Sequence, residues 1–124
     1  MKQWTHGAHV AMAASVLWSE PVRVALPLIR EGIKKFNVAQ GGANTATSGY
    51  HETLTRLWVG LVAGFLASLP ADASRLEAVR AAHRRFAGER GFFKSWYSFD
   101  VVKSERARAE WVPPDRVGPD FGGA

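Results

Sequence analysis

Residues 50–69, YHETLTRLWVGLVAGFLASL, decide the fold of this chain. Their apolar side chains recur at helical spacing and form two stripes. The main stripe contains His51, Thr55, Trp58, Val62, Phe65 and Leu69, and the second contains Tyr50, Leu54, Leu57 and Leu61. A helix that is apolar on most of its sides belongs inside a core rather than on its surface. We therefore expect a central helix here, with the other helices packed around it.

The segments before the central helix are helical in pattern as well. Residues 6–18 predict a first helix with Thr5 as its N-cap, and Ser19 caps a second helix with Pro21 in its first turn. The core stripe of the second helix is Val22, Leu26, Ile29, Ile33 and Phe36, and its opposite face carries Arg23, Pro27, Arg30 and Lys34. Residues 38–47 then form a polar, glycine-containing loop before Ser48, placed to act as a gate for a site.

Two further helices are predicted after the central one. Ser74 and Glu77 form a capping-box pattern, which starts a fourth helix that stops near Gly88. Its apolar stripe is Leu76, Val79, His83 and Phe86. Ser104 caps a short last helix. The chain is therefore expected to be all-α: one antiparallel four-helix bundle-like domain with a short extra C-terminal helix (residues 1–112), followed by an extended, loosely ordered tail (residues 113–124).

The composition restricts both the chemistry and the surroundings of the protein. The 124 residues contain no cysteine, which excludes disulfides, thiolate metal ligands and cysteine nucleophiles. The net charge of +5 allows an anionic partner without requiring one. The longest uncharged stretch, residues 57–71, has 15 residues, whereas a membrane span needs about 20. Because the first residues also lack a signal-peptide pattern, we expect a cytoplasmic protein outside the membrane.

The four histidines are the candidates for chemistry, because no other side chain in this chain normally titrates near neutral pH. His6 and His9 lie near the start of the first helix, His51 lies at the start of the third, and His83 lies near the end of the fourth. All four fall on predicted apolar faces. If neighbouring helices are antiparallel, these positions lie at the same end of the bundle. The sequence therefore predicts a histidine cluster at one pole of the core.

Such a cluster has three functional interpretations. Neutral imidazoles of His6, His9 and His51 suit Zn, Fe, Ni or Cu, with Glu52 or Asp100 as an oxygen ligand. In the second interpretation, the same three histidines and Glu52 carry out acid–base catalysis without a metal. The third is binding of a small anionic molecule, because two helix N-termini point at this pole.

Further residues are candidates for contacting a substrate at this pole: Trp58, Thr55, Tyr50, His83 and Asp100. Each also has a structural explanation. The aromatic rings can fill the core, Thr55 can bond to the backbone one turn earlier, and Asp100 can cap a helix. A histidine on an apolar face is usually a packed core residue. Glu52 can form a surface pair with Arg56, four residues later on the same helix.

Three short motifs resemble those of a group of small uncharacterised bacterial all-helical proteins. They are THGAHV at residues 5–10, GYHETLTRLW at residues 49–58 and RARAEWVPPD at residues 106–115. The group has an aromatic-x-His-x-x-His first helix, and the aromatic residue is present here as Trp4. It also has a Tyr-His-Glu-Thr central helix. The resemblance implies a small helical domain and the same candidates, His6, His9, His51 and Glu52, and it implies no particular reaction.

The function expected from the sequence is a small enzyme or small-molecule-binding protein with a histidine-rich polar site. Its substrate would be small, and either anionic or aromatic. An alternative is a homodimer or protein-interaction module that covers the aromatic segment at residues 91–102, with the histidines merely packed. A weaker alternative is an accessory protein that binds nucleic acid through the arginines of its second half: Arg80, Arg84, Arg85, Arg90, Arg106 and Arg108.

Overall fold

A computed structural model describes residues 6–88 and 92–116, with the side chains of residues 8–88 and 93–116. Within these ranges the chain is entirely helical, as predicted. The helices are α1 (His6–Ser19), α2 (Val22–Ala39), α3 (Glu52–Ala67), α4 (Arg75–Phe86) and α5 (Glu105–Ala109), with 3-10 turns at Phe92–Ser95 and Val101–Lys103. The predicted N-cap Thr5 lies outside the described residues. No helix in the described part of the chain is long and apolar enough to cross a bilayer.

The long helices alternate in direction. At the start of α4, Arg75 donates hydrogen bonds to the carbonyl of Ser15 and the hydroxyl of Ser19, near the end of α1. Helices α1 and α4 are therefore antiparallel. A surface depression brings Trp18, near the end of α1, beside Leu66, near the end of α3, so these two helices are parallel. The starts of α1 and α3 and the end of α4 consequently lie at one pole, as an up-down-up-down arrangement requires.

Helix α4 buries a different face from the one that the sequence pattern predicts. Its buried residues are Ala78, Ala82 and Phe86, whereas Leu76 is 58% exposed and His83 is also exposed. Helix α1 packs against α4 and contains two fully buried alanines, Ala13 and Ala14. Short alanine side chains on both helices allow two helix backbones to approach closely. The prediction that His83 lies on a core face is wrong.

The loop between α2 and α3 is fastened to α2 rather than loose. Helix α2 continues to Ala39, beyond the predicted start of the loop, and α3 begins at Glu52, two residues after its predicted start at residue 50. The Asn44 side chain donates to the Lys34 carbonyl at 3.1 Å and accepts from the Tyr50 backbone at 3.0 Å. Gly49 has a φ of 83°, and a Cβ atom there would collide with the backbone of the same loop. This loop therefore fixes the position of Tyr50.

A strap formed by residues 110–116 is bound across the start of α3. The Thr53 hydroxyl is fully buried, donates to the Glu110 carbonyl at 2.7 Å and accepts from the Val112 amide at 3.0 Å. The Ser98 amide donates to the Asp115 carboxylate at 2.8 Å. The first residues of the predicted tail are thus held against the domain, and residues 117–124 lie outside the described part.

The described aromatic residues of the segment at 91–102 are largely packed inward. Tyr97 is buried and donates from its hydroxyl to the Val112 carbonyl at 2.6 Å. Phe93 and Trp96 are half-buried against the core. Phe99 is 43% exposed and makes an edge-to-face contact with Tyr97. Most of this aromatic surface therefore supports the fold of the single chain.

Candidate functional site

A polar cleft of about 410 Å³ lies between α2, the start of α3 and α5. Three of its side chains are cationic and one is a carboxylate. The described lining residues are Arg30, Lys34, Asn44, Thr45, Ala46, Tyr50, Glu52, Arg108 and Ala109. The volume is in the lower range of clefts that hold small organic ligands. Two of the predicted site residues, Tyr50 and Glu52, are therefore in this cleft.

Glu52 forms a closed polar cluster with Arg30 and Tyr50. The Arg30 guanidinium donates from Nε to Oε1 at 2.9 Å and from NH2 to Oε2 at 2.7 Å, which is a bidentate ion pair. The Tyr50 hydroxyl donates to Oε1 at 2.7 Å. Both carboxylate oxygens are thus engaged by residues of the chain itself. The expected surface pair between Glu52 and Arg56 is wrong, because Arg56 instead lies over the Trp111 ring.

The protonation states of this cluster are fixed by its own contacts. Burial raises the pKa of Glu52, but the bonds from Arg30 and Tyr50 outweigh burial and hold that pKa below its usual range. The bond to Glu52 raises the pKa of Arg30 further above neutrality. Burial and the Glu52 carboxylate raise the pKa of Tyr50 to about 12. At neutral pH the cluster therefore contains an ionised carboxylate, a guanidinium and a protonated phenol.

Lys34 and Arg108 add two further cations to the cleft. The Lys34 ammonium lies 5.1 Å from the centroid of the Tyr50 ring. The Arg108 guanidinium donates to the Gly49 carbonyl at 2.8 Å and to the Val102 carbonyl at 3.3 Å. Among the described residues, no carboxylate lies within ion-pair distance of either cation. The charge of Glu52 is matched by Arg30, so Lys34 and Arg108 leave the cleft with an excess of positive charge.

His51 caps α3, and both of its ring nitrogens contact the backbone. Its Nδ1 accepts from the Leu54 amide at 3.2 Å, and its Nε2 lies 2.9 Å from the Val101 carbonyl. Because Nδ1 accepts, the ring carries its proton on Nε2 and donates to Val101. Burial lowers the pKa of His51, against the opposite effect of the Val101 bond, and the nearby Arg108 cation lowers it too. His51 is therefore neutral, with both nitrogens bonded to the backbone.

The other histidines lie on α1 and α4. His83 is exposed near the end of α4, and His9 is half-buried on α1. The side chain of His6 lies outside the described part of the chain. Across residues 8–88 and 93–116, no three histidine, aspartate or glutamate side chains are grouped so that they could hold a metal ion. The metal site of His6, His9 and His51 stays a prediction.

Three other residues that were candidates for contacting a substrate lie outside the described lining of the cleft. Trp58 and Thr55 are buried in the core along α3. Asp100 is exposed and caps the 3-10 turn at Val101–Lys103, where its side chain accepts from the Lys103 amide at 3.4 Å. These three residues are not among the described residues that line the cleft. Trp58 fills the core and Asp100 caps a turn, as their structural explanations predict. A bond from the Thr55 hydroxyl to the backbone stays a prediction.

Seven of the described cleft residues are absent from the predicted site, and four of these carry a charged or amide side chain: Arg30, Lys34, Asn44 and Arg108. The sequence indicates that two of them lie together, because Arg30 and Lys34 are one turn apart on the same face of α2. The sequence pattern places this face opposite the core stripe of α2, away from the predicted site. Arg108 carries no such local signal, since α5 reaches the cleft through contacts with α3 that are distant in sequence.

Comparison with known proteins identifies no relative. No protein-family model, no curated protein and no solved structure matches the chain. The resemblance to a group of small bacterial helical proteins therefore stays a prediction. What the cleft can bind follows from its own geometry and charge.

Proposed function

We propose that this chain binds a small anionic molecule in the cleft between α2, α3 and α5. The observation that carries the proposal is the pair of cations, Lys34 and Arg108, that line the cleft and have no carboxylate within ion-pair distance among the described residues. A site with an excess of fixed positive charge attracts anions and holds them by charge-assisted hydrogen bonds.

Both cations keep donors for a ligand. A guanidinium has five N–H donors, and the bonds of Arg108 to backbone carbonyls leave some of them unused. Those bonds also fix the position of the guanidinium before a ligand arrives, which reduces the entropy lost on binding. Lys34 offers an ammonium group beside the Tyr50 ring. The ligand would thus be held from two sides of the cleft.

The proposal is for binding rather than for a reaction. Among the described lining residues, Glu52 supplies the carboxylate and Tyr50 supplies the phenol. The phenol donates a hydrogen bond to the carboxylate, so each group already has a partner within the chain. His51, the histidine closest in sequence, has both ring nitrogens bonded to the backbone. The groups that remain available to a ligand are cations and amide or hydroxyl groups. These groups suit recognition of an anion.

Titration calorimetry with inorganic phosphate and with ethyl phosphate tests the proposal. We expect Lys34→Gln and Arg108→Gln each to weaken binding of both anions about tenfold or more, since one charge-assisted hydrogen bond contributes about 1.5–3 kcal/mol. Arg84→Gln is the matched control, because Arg84 is an exposed cation on α4, outside the cleft. Circular dichroism would show that each variant is folded.

Two results would contradict the proposal. One is that neither phosphate nor ethyl phosphate binds to the unmodified chain at millimolar concentration. The other is that Arg84→Gln weakens binding as much as Lys34→Gln and Arg108→Gln do. In that case the attraction would come from the net charge of +5 rather than from the cleft.

A further inference from the structure

A second depression of about 360 Å³ adjoins the cleft and shares Lys34 and Asn44 with it. The rest of its described lining comes from the last turns of α2: Lys35, Val38 and Ala39. Val38 is 61% exposed, the largest exposed fraction among the large hydrophobic residues of the described chain. An apolar surface is thus continuous with a cationic cleft.

We infer that the anion bound in the cleft carries an alkyl or acyl chain, and that this chain lies in the depression formed by Lys35, Val38 and Ala39. The inference rests on the proposed function, because the cleft must first hold the anionic group. Lys34 lines both spaces. Its ammonium lies over the Tyr50 ring of the cleft, and the methylene stem of a lysine can cover apolar surface beside it. The ligand class is a single-chain anionic amphiphile, with its charge and its chain matched to adjacent surfaces.

A second copy of this chain suits the depression less well. A stable dimer interface buries about 800 Å² on each partner, and the apolar part of this depression comes from Val38, Ala39 and the stems of two lysines. In a two-fold dimer the same patch meets itself. Lys34 and Lys35 would then approach their own copies, and like charges would repel. A small anionic amphiphile instead neutralises these charges while its chain covers Val38.

A chain-length series of ethyl, butyl and hexyl phosphate, each below its critical micelle concentration, tests this inference by titration calorimetry. We expect Kd to fall about two- to fourfold for each added methylene group, as for a partly to fully buried methylene. Val38→Ser should flatten this dependence on chain length and leave the Kd for ethyl phosphate within about twofold of the unmodified protein. Val38 is exposed, so the substitution leaves the core intact.

Leu28→Ser is the matched control. Leu28 is another aliphatic residue of α2, 57% exposed, and it is not among the described residues that line the depression. This variant should keep the full dependence on chain length. An equal loss in Leu28→Ser and Val38→Ser would overturn the placement of the chain.

The outcomes separate this inference from the proposed function. If ethyl phosphate binds and the longer chains bind no better, the inference is wrong and the proposed function stands. If no alkyl phosphate binds, the inference is wrong, and if inorganic phosphate does not bind either, the proposed function is wrong as well. Sedimentation with vesicles that contain phosphatidylglycerol provides the third arm. Binding to such vesicles without binding to monomeric hexyl phosphate would also overturn the inference, because the surface would then recognise a membrane.

Discussion

The Glu52 carboxylate is ionised although only 11% of its side chain is exposed. Removing a carboxylate from water is costly, and the cost is offset here by a bidentate guanidinium and a phenol. Helix spacing identifies Arg56 as a partner for Glu52, because that rule considers neighbours on one helix. Arg30 is 22 residues away in sequence. Its position depends on how α2 packs against α3, which the sequence pattern of either helix leaves open.

His51 shows how a candidate for chemistry becomes a structural residue. Its burial was predictable from its place on the apolar stripe of the central helix. Its partners were not, because Val101 is 50 residues away and the cap depends on where α3 begins. With Nδ1 accepting and Nε2 donating, the neutral ring satisfies two backbone groups. A proton added to Nδ1 would face the Leu54 amide and break the cap.

The structure therefore predicts that His51 makes stability sensitive to acid. Its pKa is lower in the folded chain than in the unfolded chain, where it is about 6.5. The stabilisation is present in full above the unfolded value and is lost as the pH falls through the lower, folded value. Urea unfolding at pH 7, 6 and 5 should show a smaller loss of unfolding free energy in His51→Asn than in the unmodified chain. Asparagine keeps an N-cap acceptor that does not titrate.

The control for this prediction is His83→Asn, which changes an exposed histidine on α4. This variant should lose unfolding free energy with acid as the unmodified chain does. Arg108 is the charged group that acts on His51 in this environment, and it stays positive throughout the range from pH 7 to pH 5. Parallel pH profiles for His51→Asn and the unmodified chain would show that the cap contributes no pH dependence.

At the scale of elements, α4 shows what an apolar stripe predicts and what it misses. The capping box of Ser74 and Glu77 placed its start correctly. Its buried face was misjudged because large apolar residues dominate a periodicity argument, and alanines contribute little to it. Ala78 and Ala82 are nevertheless buried on a helix that packs against α1, where small side chains allow close packing of two backbones. Leu76 remains largely in solvent.

Ala82→Leu should therefore be more harmful than removal of the larger side chain of Leu76. Ala82 is fully buried, and extra methylene groups in a close helix contact cost about 1–3 kcal/mol. Leu76→Ala, at a position that is 58% exposed, should change the unfolding free energy by less than about 0.5 kcal/mol. Chemical denaturation measures both. A larger loss in Leu76→Ala than in Ala82→Leu would place the core of α4 on the predicted stripe.

At the scale of the whole molecule, helical spacing was enough to predict an all-α chain, its four long helices and the pole where their ends meet. The cleft was not predictable in the same way. Its cations come from α2 and α5, and its carboxylate comes from α3. Segments so distant in sequence meet only through tertiary contacts. Thr53 is central to this assembly, because its one hydroxyl joins the start of α3 to the strap at residues 110–116.

Thr53→Val should loosen α5 and, through it, the cleft. Valine keeps the shape of threonine but neither donates to the Glu110 carbonyl nor accepts from the Val112 amide, so two part-buried backbone groups lose this partner. We expect the unfolding free energy to fall by about 1–3 kcal/mol. Because α5 carries Arg108, binding of ethyl phosphate should weaken, and amides of residues 105–112 should exchange hydrogen faster than those of α1.

Thr47→Val is the matched control, since Thr47 is exposed in the loop before α3 and its hydroxyl is not involved in the strap. It should leave both stability and exchange of residues 105–112 unchanged. Suppose that Thr53→Val lowers stability but leaves exchange in residues 105–112 and the affinity for ethyl phosphate as they were. The hydroxyl would then stabilise α3 alone, and Arg108 would be held by its bonds to Gly49 and Val102 without help from the strap.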